Sequence, residues 1–343
     1  MIGTDQQGDA WRQAGYDVRF DCGASGAARH SCAGGAVALV DVLCFTTAVS
    51  VAIQRGTSAV YPAPSAGSRA ARLAVAAGAA LAVERRAVTK DRPWSCSPAA
   101  LRLAPPAPRL VLPSVNGSVI AAAVRGTAVA ASLRNAGAVG SWLARRVIEA
   151  TSPVTVIAAG ARRPNGTLRP ALEDLLGAGA VIAALVARKA GLRLSREASA
   201  ALALYSSMVS VPDAVRACAS SVELAERGYA EDVEVAVQVD ADDAVPVLVD
   251  GAFRPATPAR RAVSVPPGGR PLGPRSALAQ PGRRLTGKQS VLQLQARHED
   301  GPLWQLDTVT RPAAELRGEP VALPTFMPTD QAGQVRVKDL TGT

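Results

Sequence analysis

Short apolar runs rich in β-branched residues alternate with helix-like patterns from about residue 16 to residue 253. This alternation is typical of βαβ units, so the sequence predicts an α/β domain with a largely parallel sheet and helices on both faces. Strands are predicted at Ala36–Asp41, Ser58–Tyr61, Ala80–Glu84, Arg109–Pro113, Ala128–Ser132, Val154–Ala159 and Val245–Val249. Helices are predicted near Thr46–Arg55, Ser65–Ala77, Ser118–Arg125, Asn135–Ala150, Leu172–Ala190, Arg196–Met208, Pro212–Ser220 and Ser221–Arg227.

Polar side chains follow most of the predicted strands. In parallel sheets ligands bind beyond the carboxyl ends of the strands, where these side chains would gather. We therefore expect one site at that edge, because carboxylates, amides, hydroxyls and arginines together suit a metal ion and a phosphate. In chain order the candidates are Asp41, Thr46, Thr47, Glu84, Asn116, Gly117, Ser118, Arg134, Asn135, Arg162, Arg169, Glu173 and Asp174.

The segment around Asp41 carries the most information. A buried apolar strand ends on this carboxylate, and Thr46 and Thr47 follow where a helical pattern opens. A helix start offers unpaired N–H groups and the positive end of its dipole to an anion, and an Asp beside it can hold Mg²⁺. The alternative is a capped strand–helix junction with a structural Asp, and this segment alone does not choose between the two.

Each remaining candidate also has a structural interpretation. Asn116-Gly117-Ser118 and Asn135 precede helical patterns and are good N-cap signals. Glu173 and Asp174 fall in a first helical turn, where acidic residues complement the dipole. The case for a site therefore depends on the whole set lying at one edge of the sheet.

The two ends of the chain differ in composition from its body. Residues 1–15 begin polar and acidic, which predicts a flexible N-terminus and is unlike a signal peptide. From Arg254 onward there are thirteen basic and seven acidic residues, which supply +6 of the net charge of +10. Residues 254–343 open Pro/Arg-rich and predict a mostly disordered tail. Such a tail binds polyanions weakly, but it lacks interleaved aromatics, so nucleic acid is expected only as a weak contact.

Composition also bears on compartment. No apolar run reaches the length of a membrane span, so no membrane contact is expected. The five cysteines, Cys22, Cys32, Cys44, Cys96 and Cys218, form no C-x-x-C pair and are odd in number. This pattern fits reduced, mostly buried thiols and favours a cytoplasmic protein.

Over residues 16–253 the chain resembles the 2-phosphosulfolactate phosphatase family, in order and with matching spacing. The pieces that carry the resemblance are Asp41-Val42-Leu43 with Thr46-Thr47, Glu84-Arg85 with Ser97-Pro98, Asn116-Gly117-Ser118, Asn135-Ala136, Ala159-Gly160, Glu173-Asp174 with Gly177-Ala178-Gly179, and Glu223-Leu224 with Gly228-Tyr229 and Asp232. Members of that family are magnesium-dependent enzymes of coenzyme M biosynthesis with an α/β fold of their own. The resemblance implies hydrolysis of a phosphate monoester on a small acidic 2-hydroxy acid, and it leaves a homo-oligomer open.

The resemblance, with chain position and chemistry, implies a role for each candidate. Mg²⁺ would lie on Asp41 and Asp174, with Glu173 as a third ligand or as the base for water, and Glu84 in reserve. Neighbouring residues on a helix point about 100° apart, which leaves open whether Glu173 and Asp174 both enter the site. Phosphate would contact Thr46, Thr47, Asn116, Gly117, Ser118 and Asn135, and Arg134, Arg162 or Arg169 would balance the remaining charge.

Two places depart from the family pattern. Cys44 stands where the family commonly has an arginine, and a thiol does not replace a bidentate contact to phosphate or sulfonate. The segment Arg92-Pro93-Trp94-Ser95-Cys96 replaces a glycine-rich loop. An alternative function is therefore a non-catalytic protein on the same fold that binds an acidic metabolite or a nucleic acid.

Other phosphatase chemistries fit the sequence less well. Cys96-x5-Arg102 has the spacing of cysteine-dependent phosphatases but lacks the glycines that wrap a phosphate. Asp240-Ala241-Asp242 lacks the threonine of an aspartyl-phosphate motif and is predicted to be a loop before the last strand. Two histidines, His30 and His298, are too few for a multi-histidine zinc site. The nucleotide-binding phosphate loop is also missing.

Overall fold

The structure, a computed structural model, describes residues 11–32, 34–150 and 152–256, without the side chains of 148–150. The strands are β1 (Val18–Cys22), β2 (Ala36–Val40), β3 (Ala59–Ala63), β4 (Ala80–Leu81), β5 (Arg109–Pro113), β6 (Thr127–Ala131), β7 (Val154–Ala158), β8 (Ala161–Arg162), β9 (Leu168–Arg169), β10 (Pro246–Val249) and β11 (Ala252–Pro255). The helices are α1 (Gly23–His30), α2 (Phe45–Gln54), α3 (Ser68–Ala77), α4 (Pro98–Leu103), α5 (Gly117–Ala123), α6 (Ala136–Ala150), α7 (Leu172–Arg188), α8 (Arg196–Ser207), α9 (Val211–Arg216), α10 (Ala219–Glu226) and α11 (Ala230–Ala236), with short 3₁₀ turns at Arg85–Ala87 and Leu133–Asn135.

Nine strands form one mostly parallel sheet in the order β1-β7-β2-β6-β10-β11-β3-β5-β4. The block β1-β7-β2-β6 is parallel, and so is the block β3-β5-β4. The antiparallel hairpin β10–β11 lies between them and contacts each block through one residue pair, Val247–Val129 and Phe253–Val60. The mostly parallel α/β fold predicted from the alternating pattern is confirmed.

The two blocks run in opposite directions, because three successive antiparallel pairings separate β6 from β3. In a flat sheet this reversal would place the carboxyl ends of the two blocks at opposite edges. The polar loops nevertheless meet, since the Asn116 side chain after β5 donates to the Gly160 carbonyl after β7 at 3.0 Å.

Alternate residues of β2 face two separate cores, as expected for a strand buried on both sides. Ala36, Ala38 and Val40 pack with α6, α7 and α8 on one face of the sheet. Val37 and Leu39 pack with α2, α4 and α5 on the other. Both faces of the sheet are thus covered by helices, and the polar residues are left at the ends of the strands.

A glycine in α7 fixes how this helix lies on the end of β2. A Cβ on Gly177 would come within 2.8 Å of both Val40 Cγ1 and Val42 Cγ2, so only glycine permits the observed approach. The approach places Asp174, in the first turn of α7, within 2.7 Å of the Val42 amide. The family resemblance included this glycine, and the structure shows its physical reason.

Several elements were not predicted. Strand β1 and helix α1 carry polar residues, so their periodicity is weak. Strand β11 follows an Asp250-Gly251 turn, a hairpin signal that was overlooked. The boundary predicted at residue 254 falls inside β11. The rest of the predicted tail lies outside the described residues.

The N-terminal segment predicted to be flexible contains an ordered contact. Gln13 is 8% exposed, its Nε2 donates to the Phe20 carbonyl at 2.7 Å, and its Oε1 accepts from the Phe20 amide at 3.1 Å. One side chain therefore pairs with the outer edge of β1 as a neighbouring strand would. Residues 1–10 of the predicted segment lie outside the described residues.

The described residues include no helix with the length and apolarity needed to cross a membrane. All five cysteines lie in the described part of the chain and are free thiols. Only Cys44 and Cys218 are buried, so the expectation of mostly buried thiols holds for two of the five.

Candidate active site

A cleft of about 710 Å³ opens where the loops after β2, β4 and β5 meet the hairpin β8–β9 and the residues of α10. Four of the predicted site residues line it: Asp41, Glu84, Asn116 and Arg169. The structure therefore brings together residues that are far apart in the sequence. Other polar residues of its lining are Cys44, Ser65, Arg85, Arg86, Cys96, Ser114, Ser220, Glu223, Arg227 and Tyr229.

Asp41 forms part of the floor of the cleft and is 6% exposed. Its Oδ1 accepts a hydrogen bond from the Phe45 amide at 3.2 Å, and the Gly117 amide also donates to its carboxylate. Burial, together with the nearby charge of Glu173, raises the pKa of Asp41 to about 6. Asp41 thus joins the start of α2 to the start of α5 and presents a carboxylate to the cleft.

Thr46 and Thr47 are fully buried, and both hydroxyls are used within the backbone. The Thr46 hydroxyl donates to the Asp41 carbonyl at 2.7 Å and accepts from the Asp41 amide at 3.0 Å. The Thr47 hydroxyl donates to the Val42 carbonyl at 2.8 Å. The structure thus places these threonines in the turn that shapes the Asp41 loop, away from the cleft lining.

Asp174 lies behind Asp41 and is 3% exposed. Its two carboxylate oxygens accept from the Val42 amide at 2.7 Å and the Gly160 amide at 2.8 Å. Burial, with the charges of Asp41 and Glu173, raises the pKa of Asp174 well above its ordinary value. One carboxylate therefore links the loop after β2 to the loop after β7.

Glu173 is also 3% exposed and accepts a hydrogen bond from the Cys218 thiol at 3.2 Å. It acts electrostatically on both Asp41 and Asp174, so the three acids form one buried cluster. Among the described residues, no arginine, lysine or histidine forms an ion pair with any of the three. Buried carboxylates without an ion-pair partner are costly, and metal binding is one way to compensate them.

The donor set fits Mg²⁺ in chemistry, because it consists of hard carboxylate oxygens. Within the described ranges, three or more Asp, Glu, His or Cys donors do not converge on one point as a complete protein cage would. Mg²⁺ commonly retains several waters and binds through one or two carboxylates plus substrate oxygens, which this arrangement allows. Asp41 is the carboxylate that both belongs to the cluster and lines the cleft.

The loop Ser114–Ser118 forms a wall of the cleft at the start of α5. The Ser114 hydroxyl accepts from the Gly117 amide at 3.0 Å, and the Ser118 hydroxyl donates to the Ser114 carbonyl. The Asn116 side chain accepts from Arg162 Nε at 2.9 Å besides donating to Gly160. Asn116 therefore faces the cleft with its amide already bound, whereas Gly117 and Ser118 lie behind it.

Arg134 and Asn135 are fully buried and lie outside the cleft lining. Arg134 donates to the side chains of Gln238 at 2.6 Å and Gln54 at 2.9 Å. Asn135 completes a capping box with Ser132. Both residues lie in the turn that leads from β6 into α6, and neither enters the site proposed below.

The other predicted charged residues are at the periphery. Glu84 lines the cleft from an exposed position. Arg169 also lines it and pairs with Glu223 at 2.7 Å, both side chains being partly exposed. Arg162 lies beside a smaller cavity of about 220 Å³ near the start of α1.

The geometry can be compared with known proteins. The model of the 2-phosphosulpholactate phosphatase family matches residues 25–251, which is more than half of the chain. The chain belongs to this family. The family description supports a phosphatase reading, and the resemblance found from the sequence is confirmed. No match was found among curated proteins.

In this member of the 2-phosphosulpholactate phosphatase family, the cleft also contains residues that were not among the predicted site residues. Arg85 accompanies Cys44, with Arg85 Nη2 donating to the Cys44 sulfur at 3.0 Å. Arg86 and Arg227 are exposed at the same cleft. Arg85 directly follows Glu84 at a strand end, which was the available signal, but its partner Asp232 is distant in sequence.

The structure also shows the positions of the two phosphatase motifs that fit the sequence less well, Cys96-x5-Arg102 and Asp240-Ala241-Asp242. Cys96 lines the cleft, but burial raises its pKa to about 12, so it is a protonated thiol and a poor nucleophile. Arg102 donates to Gln238 away from Cys96. Asp240 accepts from the Gly137 amide at 2.7 Å, within a loop that follows α11 and precedes β10. Neither motif forms an active site in this family member.

Proposed function

We propose that the protein is a Mg²⁺-dependent phosphatase that hydrolyses the phosphate monoester of a small acidic 2-hydroxy acid. In its reference reaction, phosphosulfolactate and water give sulfolactate and phosphate. Membership of the family supports the phosphatase part. We infer metal dependence and substrate class from the residues of the cleft.

The observation that carries the proposal is the environment of Asp41. Its carboxylate is buried at the floor of an open cleft, has a raised pKa and lacks an ion-pair partner among the described residues. A solely structural cap would gain more from a neutral or solvated side chain, because burying an uncompensated charge is costly. A divalent cation held by Asp41 would compensate the acidic cluster and lower the pKa of the carboxylate.

Asp41 would hold the cation, and Asp174 would contribute mainly by fixing the Asp41 loop through the Val42 amide. A bound Mg²⁺ would polarise phosphoryl oxygens and orient the attacking water. The Phe45 and Gly117 amides keep the Asp41 carboxylate in place, so it needs little rearrangement when a ligand binds. Glu84 lies close by in the lining and is a candidate for a second, water-mediated contact.

Cationic side chains on the cleft wall would hold the anionic substrate. Arg85, Arg86, Arg169 and Arg227 line the cleft, against the acidic residues Asp41, Glu84 and Glu223. A cleft whose lining carries a net charge concentrates substrates of the opposite charge. This lining favours an ester that carries a further acid group over a neutral alkyl or aryl ester.

The test is phosphate release by the full-length protein from phosphosulfolactate, phospholactate and an aryl phosphate, with Mg²⁺ and with EDTA. We expect Mg²⁺-dependent release that favours the acidic esters and falls by at least about 100-fold in Asp41→Asn. Asp213→Asn, at an exposed aspartate in α9, is the matched control and should retain activity. Release that is unaffected by EDTA would refute the metal. A folded protein that binds the esters without releasing phosphate would favour the non-catalytic alternative.

A further inference from the structure

The Arg85 side chain is held by three hydrogen bonds and one aromatic ring. Arg85 begins the 3₁₀ turn after β4 and lines the cleft with a side chain that is 24% exposed. Its Nε donates to Asp232 Oδ2 at 2.9 Å, and its Nη2 donates to the Cys44 sulfur at 3.0 Å and to the Cys96 carbonyl at 3.3 Å. Its Cζ lies over the Tyr229 ring, 5.1 Å from the ring centre.

Asp232, which holds Arg85, is itself fixed. It is 1% exposed, and its Oδ1 accepts from the Ser97 hydroxyl at 2.5 Å and from the Ala99 amide at 3.1 Å. The Ser97 hydroxyl also accepts from the Ala100 amide and so caps α4. The orientation of the Arg85 guanidinium is therefore determined by a buried network, and little side-chain entropy remains to be lost on binding.

The anchoring leaves one nitrogen for a ligand. Arginine carries five N–H donors, and those on Nε and Nη2 are bound. In the described part of the chain, Nη1 has no hydrogen-bond partner although the residue faces the cleft. The neighbouring thiols are neutral, because burial raises the pKa of Cys44 and of Cys96. Among the residues that the structure describes, Asp232 is therefore the one acid that pairs with Arg85.

We propose that Arg85 Nη1 binds the acid group, carboxylate or sulfonate, that the substrate carries beside its phosphate, and that Asp232 is the residue that positions it. This assignment rests on the proposed function, which places the phosphate at Asp41. Cys44 lies three residues after Asp41 and contacts Arg85, so both anion sites share the floor of one cleft. In a 2-phospho acid the phosphate and the carboxylate branch from the same carbon, which suits two adjacent sites.

The proposal is tested with a matched pair of esters. Phospholactate and isopropyl phosphate share a carbon skeleton and differ in a carboxylate replacing a methyl group. For Arg85→Gln we expect kcat/KM for phospholactate to fall about 10- to 100-fold, mainly through KM, because a charge-assisted hydrogen bond is lost. The value for isopropyl phosphate should be unchanged. An equal loss with both esters would overturn the proposal, since Arg85 would then act on the phosphoryl group or on folding.

Arg188→Gln is the charge-matched control, because Arg188 is exposed in the last turn of α7 and is absent from the cleft lining. This variant removes the same charge but leaves the Arg85 donor in place. The ratio of kcat/KM for phospholactate to kcat/KM for isopropyl phosphate should therefore change by less than about twofold. A third ester, with a sulfonate in place of the carboxylate, distinguishes the two acid groups. The acid group that Arg85 binds more tightly is the one whose ester loses more kcat/KM in Arg85→Gln.

Asp232→Asn tests the positioning role. It should raise KM for phospholactate while kcat is retained, and Asp232→Glu should recover part of the loss. A variant that changes kcat alone, with both esters affected, would contradict this role. Circular dichroism of each variant identifies loss of fold, and Arg85→Lys, which keeps the charge, provides a second variant if Arg85→Gln does not fold.

Equilibrium binding keeps the test independent of turnover. Titration calorimetry of the full chain with phospholactate and with isopropyl phosphate needs no hydrolysis. If no ester is hydrolysed, the proposed function fails. The assignment of Arg85 still stands if Arg85→Gln weakens phospholactate binding and spares isopropyl phosphate, and it fails if both affinities stay equal to the wild-type values.

Discussion

Replacing Gly117 by alanine tests whether the close approach of α5 to α2 shapes the site. A Cβ at this position would lie 2.2 Å from Phe45 Cδ1 and 2.7 Å from Phe45 Cγ, more than 1 Å inside an ordinary contact. The Phe45 ring is 1% exposed and meets Phe253 edge to face, with centroids 6.1 Å apart. The ring therefore has little room to move, and the structure must strain or the helix must shift.

Overpacking a buried site costs about 1–3 kcal/mol, and an overlap with an enclosed aromatic ring belongs at the upper end of that range. With a urea dependence of about 3 kcal/mol per molar, Gly117→Ala should lower the urea midpoint by about 1 M. Because the Gly117 amide also donates to Asp41, phosphatase activity per folded molecule should fall as well.

Gly67→Ala is the control, since Gly67 also stands at a helix start but its Cβ would lie 3.6 Å from the nearest atom, Ser65 Oγ. As a change at an N-cap it should cost less than about 1 kcal/mol. A midpoint for Gly117→Ala equal to that of the wild type, or a loss just as large for Gly67→Ala, would refute the reasoning.

Three further outcomes are expected. Asp174→Asn replaces a carboxylate oxygen by an amino group that would face the amide of Val42 or Gly160. We expect the free energy of unfolding in urea to fall by about 2–4 kcal/mol and the activity to fall with it. Unchanged stability would contradict the link between the two loops. The folded-state pKa of Asp41, about 6, exceeds its ordinary 3.8, so the stability it contributes is complete below pH about 3.8 and is lost as pH rises through about 6. Mg²⁺ should therefore raise the melting temperature more at about pH 8 than at about pH 5, and an effect equal at both would argue against binding to this carboxylate. Arg134→Met should lower the free energy of unfolding by about 1–3 kcal/mol, because the hydrogen bonds to two glutamine side chains are lost, and KM for the ester should be unchanged. A raised KM would show that Arg134 contacts the substrate after all.

Strong local patterns predicted the elements that form the centre of the fold. Strand β2 was found because it is a continuous apolar run, and helices α2 and α7 were found because their helical patterns are long. Strand β11 was missed although Asp250-Gly251 indicated a turn, because its last two residues, Arg254 and Pro255, have the composition of the predicted tail. The reversal of the second parallel block follows from pairing of the hairpin, which local sequence does not encode.

The site was predicted to the extent that strand ends determine it. Asp41 and Asn116 reach the cleft because Asp41 directly follows β2, Asn116 lies three residues beyond β5, and neither has a competing local role strong enough to remove it. Thr46 and Asn135 have such roles, since short polar side chains bond readily to nearby backbone. The anchoring of Arg85 depends on Asp232, and a partner so far along the chain leaves no local signal.

The hairpin β10–β11 has a consequence for how the protein is made. It joins the two parallel blocks at the middle of the sheet, yet it is the last part of the domain to be synthesised. Until the ribosome releases it, β6 and β3 each present an open edge, and Phe45 lacks its partner Phe253. Open edges of this kind attract other chains and chaperones during synthesis. Translation must therefore run to the end of the hairpin before the domain can close its sheet and complete the wall behind Asp41.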